Sequence, residues 1–356
     1  MSVLTHVPAS IESEFRLHRM YEWRAYHIFY GGTPLTVLKE CILPLAQEMQ
    51  DRGEIIDFFF INYWLEGSHV RLRVRVDPCN ADAVDVEIVA RVTKYLAESP
   101  SYHPMAELAD NNFYERLYQG EFSEADRPKY FDAAGNPRFA ANNSIEIREY
   151  EPEYLRYGGS VGMLISERQF IESTQLMVKL ADLGNMRVRT ILLGIATQIT
   201  FITAVCMLRD MDLIEDFFVA YHRRWSDGYD SNPAYGTEEG RRQHTATVNN
   251  IRKKIVPLAK EILSEDVKDL PVFLRDWVEV CTRVRTQIED ACTDAGLQFS
   301  YEDGVRTVTD PDQASWSLCH SYIHMTNNRI MVSVADEAFL AYQIVEAMRK
   351  AKTDDE

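Results

Sequence analysis

"GSHVRLRVRV", residues 67–76, decides how the first part of the chain folds. Strand side chains alternate between faces with a period of two. Val70, Leu72, Val74 and Val76 therefore share one face, and His69, Arg71, Arg73 and Arg75 share the other. The preceding run "IIDFFFINYWL" (55–65) shows no alternation, which predicts burial on both of its faces. "EGS" (66–68) can turn the chain, so the two stretches read as a hairpin.

The pattern extends in both directions. "YEWRAYHIFY" (21–30) is rich in aromatics and reads as a strand. Residues 33–53 read as a helix, with Thr33 at the N-cap, Pro34 in the first turn and Gly53 as the stop. Residues 81–100 carry Ala, Val, Ile and Leu at helical spacing. A polar stretch, 101–140, includes the turn-rich "DAAGNP", and "NSIEIREYEPEYLRYGG" (143–159) opens as a strand. The order β-α-β-β-α-β is the split, ferredoxin-like arrangement. After Gly158 and Gly159 the spacing turns helical over 166–183, 186–211, 213–225, 239–263, 270–296 and 312–351, and strand signals are nearly absent. The sequence predicts an α+β protein: a ferredoxin-like part, 1–157, packed on a mainly helical part, 158–356, which together make one compact domain.

The formal charge of −17 disfavours general nucleic-acid binding, since phosphate would be repelled. The run 189–208 comes nearest to a membrane span, but Thr, Gln and an Arg interrupt it and it reads as a buried core helix. The N-terminus has no apolar signal-peptide core. Cys41, Cys79, Cys206, Cys281, Cys292 and Cys319 form no CxxC pair and read as reduced thiols of a cytoplasmic protein. No Walker loop or GxGxxG is present, and no cofactor is expected. "HRRW" (222–225), "RR" (241–242) and "RKK" (252–254) read as solvated helix faces, or as contacts for an acidic peptide or a partner subunit.

The arginine face of 67–76 has two readings. It is a solvated strand face, or, with the helical part covering it, the lining of a cleft of the kind that holds ligands.

Three further blocks bear on the choice. "FFFINYWLEGSHVRLRV", "YEPEYLRYGG" (150–159) and "SYIHMTNNR" (321–329) occur in this order, and "SERQFIES" (166–173) follows the double glycine. Together they resemble the C-terminal elimination domain of the lanthipeptide (lantibiotic) dehydratases, which also occurs free-standing in thiopeptide-type bacteriocin biosynthesis. The resemblance spans about residues 20–350. It implies glutamate elimination from glutamylated Ser or Thr of a ribosomal precursor peptide, giving dehydroalanine or dehydrobutyrine. The implied partners are that peptide, with its leader, and a separate tRNA-dependent glutamylation subunit. A homodimer is left open, and neither nucleic acid nor membrane is expected as a direct partner.

Such an elimination needs a base for the Cα proton, stabilisation of the developing enolate, and cations for the leaving carboxylate and the free glutamyl carboxylate. Arginine suits the last two tasks, because its planar fork binds carboxylates bidentately and keeps its charge. By the resemblance, Arg71, Arg73, Glu153, Arg156 and His324 match the family's functional positions, with Arg156 expected in the same cleft as the strand arginines. His324 is the candidate for proton transfer. Glu153, three residues before Arg156, is either a general acid or a salt bridge that aims Arg156. His69, Arg75 and Arg329 are further substrate-binding candidates, His69 as an orienter of Arg71. His320 and His324 have HxxxH spacing, but no third ligand is legible, so no metal is expected. The alternatives are a pyridine-forming formal [4+2] cyclase on the same scaffold, and a non-catalytic leader-binding scaffold. The family's cyclases tend to lose the elimination arginines and histidine, which this chain keeps.

Overall fold

The computed structural model describes residues 7–103, 114–115, 118–119, 124–182, 188–229 and 238–354. Part of the turn-rich stretch 101–140, the side chains of Arg241 and Arg242, and the last two residues lie outside them. The chain divides into two units, residues 16–151 and residues 1–15 with 152–356.

The unit of 16–151 opens with the end of helix α1 (Glu12–Met20) and holds strands β1 (Glu22–Phe29), β2 (Asp57–Tyr63), β3 (His69–Val76) and β4 (Ser144–Arg148). They form one sheet in the order β2-β3-β1-β4, with every neighbouring pair antiparallel. Helix α2 (residues 34–51) joins β1 to β2, and helix α3 (Ala81–Glu98) joins β3 to β4. This is the ferredoxin-like topology that the pattern predicts. Within α2, Pro34–Val37 and Leu43–Asp51 are α-helical, while Leu38–Ile42 widens to a π-helix. The widening sits just before Pro44, which has no N–H to donate and whose ring would press on the preceding turn.

One sheet face carries Tyr26, Ile28, Phe58, Phe60, Val70, Leu72 and Val74, all buried. Helix α3 lies on it, and the Tyr26 hydroxyl donates to Asp85 across the packing at 2.5 Å. The register sets His27 opposite Arg71, Ala25 opposite Arg73 and Trp23 opposite Arg75 on the other face. That face is buried too: Ala25, His27, Phe29, Phe59, His69, Arg73 and Arg75 are all under 9% exposed. The unbroken apolar run of β2 reflects this double burial.

The second unit is mainly helical: α4 (Gly159–Asp182), α5 (Arg189–Leu208), α6 (Met211–Tyr229), α7 (Glu238–Leu263), α8 (Val272–Asp294), α9 (Pro311–Arg329) and α10 (Val334–Asp354). Helix α5 is long and apolar enough to cross a membrane, yet from Ala196 to its end every residue except Gln198 is buried. Arg223, Arg224, Lys253 and Lys254 of the basic clusters are exposed.

Two features depart from the sequence expectation. Between α8 and α9 the chain forms a hairpin, β5 (Leu297–Tyr301) and β6 (Gly304–Val308). Its signal is short: Leu297 and Phe299 are buried while Gln298 and Ser300 are exposed, and an Asp303-Gly304 turn follows. The run 312–351 is also two helices rather than one. Met331 takes a left-handed φ of +68°, and Ser333 caps α10: its hydroxyl accepts from the Asp336 N–H, while the Asp336 carboxylate accepts from the Ser333 hydroxyl and N–H. This is a capping box, S-x-x-D, hidden inside a helical pattern.

Candidate active site

In the sheet unit the central elements are two histidines and two arginines on the β1–β3 pair. His69 is 1% exposed. Its Nδ1 lies 2.8 Å from the Gly67 carbonyl, which can only accept, so Nδ1 carries the proton. Its Nε2 then accepts from Nε of Arg71 at 3.2 Å. Burial, then the Arg71 charge, pulls the His69 imidazole down to about 3, so it stays neutral. The Arg71 guanidinium lies 3.5 Å over the Tyr63 ring. His69 thus orients Arg71, as its position two residues away suggests.

Arg73 is 6% exposed. Its Nη1 makes one long bond of 3.4 Å to the Leu72 carbonyl, its Nη2 lies 3.5 Å from Nε2 of His27, and its Nε is buried without a partner. No carboxylate pairs with Arg71 or Arg73 among the described residues. Burial, reinforced by Arg71, draws the Arg73 guanidinium down to about 9, which leaves it charged at neutral pH. A buried cation without a counter-charge is unfavourable unless an anion arrives.

His27 was not singled out from the sequence. It stacks on His69 with ring centroids 5.0 Å apart, and its buried Nδ1 has no partner. Burial, then Arg71 and Arg73, holds it neutral. The signal lay in strand parity, since Trp23, Ala25, His27 and Phe29 share the face that β3 gives to its arginines.

Arg75 is engaged differently. Its Nη1 is 3.3 Å from Asp57, and it lies 4.6 Å over the Trp23 ring. The two neighbours should therefore respond oppositely to truncation. Arg73→Met removes an uncompensated buried charge and should raise stability by about 1–2 kcal/mol. Arg75→Met breaks a buried ion pair with Asp57 and should lower stability by about 3 kcal/mol. Denaturant unfolding of the two variants measures both signs.

In the helical unit, Arg156 sits in the turn that precedes Gly158 and Gly159. The two glycines have φ of +88° and +79°, a region side chains avoid, and a Cβ on Gly158 would press on Leu297 of β5 at 3.3 Å. The Gln298 and Ser300 N–H groups donate to the Gly158 and Leu155 carbonyls at 3.1 and 3.3 Å. The unexpected hairpin therefore holds the turn that carries Arg156. Nε of Arg156 donates to the Ser321 hydroxyl at 3.2 Å, and Nη1 reaches Glu153 at 3.1 Å. Glu153 is itself exposed, so the pair has the form of a surface salt bridge that aims the guanidinium.

His324 lies on α9. Its Nδ1 is 2.9 Å from Oε1 of Glu337, and a carboxylate only accepts, so Nδ1 carries the proton. Nε2 has no hydrogen-bond partner among the described residues and is left to exchange a proton. The Trp225 ring packs against the imidazole at 4.7 Å. His320, one turn earlier, is enclosed by Phe217 and Tyr221 at 4.8 and 5.1 Å and is pulled down to about 4 by burial, then by Arg224. Among the described residues no His, Cys, Asp and Glu side chains group so as to hold a metal ion. Arg329 is fully buried, bonds the Met325 carbonyl at 3.0 Å and lies 4.9 Å over Phe170.

The family model described as the lantibiotic biosynthesis dehydratase C-terminal region matches residues 23–348, and the chain belongs to that family. Membership places it in the biosynthesis of ribosomally made, post-translationally modified peptides. No curated protein matches. Among solved structures, the pyridine synthase TbtD from thiomuracin biosynthesis superposes with a TM-score of 0.66 at 19% identity, over 92% of this chain and 98% of that one. TsrL superposes with a TM-score of 0.58 at 16% identity, over 94% and 96%. The tRNA-dependent lantibiotic dehydratase MibB from Microbispora sp. 107891 superposes with a TM-score of 0.51 at 16% identity, over 94% of this chain and 28% of that one. At these identities the likeness is one of fold.

Proposed function

We propose that this protein eliminates glutamate from glutamylated Ser or Thr side chains of a ribosomal precursor peptide, leaving dehydroalanine or dehydrobutyrine. The observation that supports this reading most is the half-buried Arg71 beside the buried Arg73, neither of which pairs with a carboxylate among the described residues. A site built to receive a substrate carboxylate has this form.

The step balances as a β-elimination. His324 Nε2 takes the Cα proton, the Cα–H electron pair becomes the Cα=Cβ bond, and the Cβ–O bond breaks. Glutamate leaves with the bonding electrons as a carboxylate. Arg71, Arg73 and Arg156 bind anionic oxygens, and Glu153 aims Arg156. The substrate reaches the protein from a separate tRNA-dependent glutamylation subunit, and the chemistry needs no cofactor.

The test is to give the protein a purified glutamylated precursor peptide and follow free glutamate and peptide mass. Release of glutamate with formation of the dehydro residue is the expected result. Suppose instead that the glutamylated peptide is untouched while a peptide already bearing two dehydroalanines is cyclised; then the pyridine-forming reading replaces this one. Tight peptide binding without turnover of either substrate would leave a leader-binding scaffold.

A further inference from the structure

We propose that Glu337 is the positioning residue of His324: it holds the proton on Nδ1, leaves Nε2 as the reacting nitrogen, and is itself held by Tyr221 and Asn327. The chemical part of this inference rests on the elimination reading above.

Three helices converge on one carboxylate. Glu337, on α10, is 1% exposed. Its Oε1 accepts from Nδ1 of His324 at 2.9 Å. Its Oε2 accepts from the Tyr221 hydroxyl of α6 and from Nδ2 of Asn327 of α9, the latter at 3.3 Å. Burial, followed by the Glu337 charge, pushes the Tyr221 hydroxyl well above its ordinary range, so it remains a donor. Every group around the carboxylate is therefore a donor in a fixed place, and the carboxylate has little freedom to turn.

The histidine end is asymmetric. The Glu337 side chain is wholly buried, whereas His324 keeps 16% of its side-chain surface. With Nδ1 committed and Trp225 packed against the ring, Nε2 is the nitrogen that remains for a substrate proton. A carboxylate behind Nδ1 also stabilises the positive charge that develops as Nε2 is protonated. The same logic operates wherever an imidazole base is backed by a buried acid.

A merely structural carboxylate, tying α6, α9 and α10 together, is the competing account. Glu337→Gln keeps the size but lets an amide face Nδ1 and permit the other tautomer. Single-turnover elimination should slow on the order of 10³–10⁴-fold, with peptide KM within about twofold. Histidine-labelled nitrogen NMR of the wild type should show His324 protonated on Nδ1, and Glu337→Gln should lose that signature. Tyr221→Phe should give a smaller fall in rate. Ser333→Ala, which weakens the α10 cap without touching the carboxylate, should lower the melting temperature and leave the rate of the folded protein unchanged.

Elimination at the wild-type rate by Glu337→Gln would overturn the proposal. So would a wild-type His324 protonated on Nε2, or a Ser333→Ala variant as slow as Glu337→Gln at equal folded fraction. If the wild type releases no glutamate at all, the elimination reading fails while the tautomer measurement still decides the place of Glu337.

Discussion

Arg73→Lys should leave a folded protein that accumulates peptide still carrying glutamate, with elimination slowed on the order of 10²–10³-fold. The residue is 6% exposed and its Nε has no partner, so its fork is preserved for something other than the protein's own acids. Lysine keeps a charge but presents a point rather than a planar fork, and cannot re-form a bidentate carboxylate contact. Arg71→Lys should act in the same direction, because His69 aims the Arg71 Nε–H and an ammonium would not inherit that aim. A solvated strand face would make either exchange nearly silent, within about 0.5 kcal/mol of stability and without effect on rate. Mass spectrometry of the peptide pool reads the outcome directly. Dehydrated product formed at the wild-type rate by both variants would refute the anion-binding role of this face.

His324→Ala should yield the same uneliminated adduct for a different reason. It removes the group that moves the Cα proton, and loss of a positioned general base typically costs on the order of 10²–10⁴ in rate. The two kinds of variant separate in a binding assay. Free glutamate should raise the melting temperature of the wild type and of His324→Ala, since the arginines are intact in both, and a ligand bound only to the folded state stabilises it. Arg73→Lys should lose most of that shift. If His324→Ala also loses it, His324 binds the anion rather than moving the proton.

The arginine face was legible in the sequence because strand periodicity is strict. Once β3 is a strand, the parity of Val70 fixes where Arg71, Arg73 and Arg75 point. The topology followed from element order, and double burial of β2 from its lack of alternation. The double glycine was legible as a motif, but its cause was not. Only the close approach of Leu297 to Gly158 and of Gln298 to Gly159, from a hairpin with a short signal, shows why neither position has room for a side chain.

The differences among the arginines could not be read along the chain. Parity treats Arg71, Arg73 and Arg75 alike. Pairing with Asp57 from β2, orientation by His69, and the lack of an acid paired with Arg73 among the described residues distinguish them, and those are facts of cross-strand distance. His27 entered the site in the same way, through a register that no local pattern states.

The sequence by itself determined the local periodicities, the ferredoxin-like order of elements and the candidate residues His324 and Arg156. Tertiary structure alone decided that His324 has a carboxylate behind it. Glu337 lies thirteen residues on, off the face that helical spacing would assign to His324. A continuous helix would carry the two residues nearly 20 Å apart at about 1.5 Å per residue. The break at Met331 lets α10 fold back, and only then does a buried acid meet an imidazole.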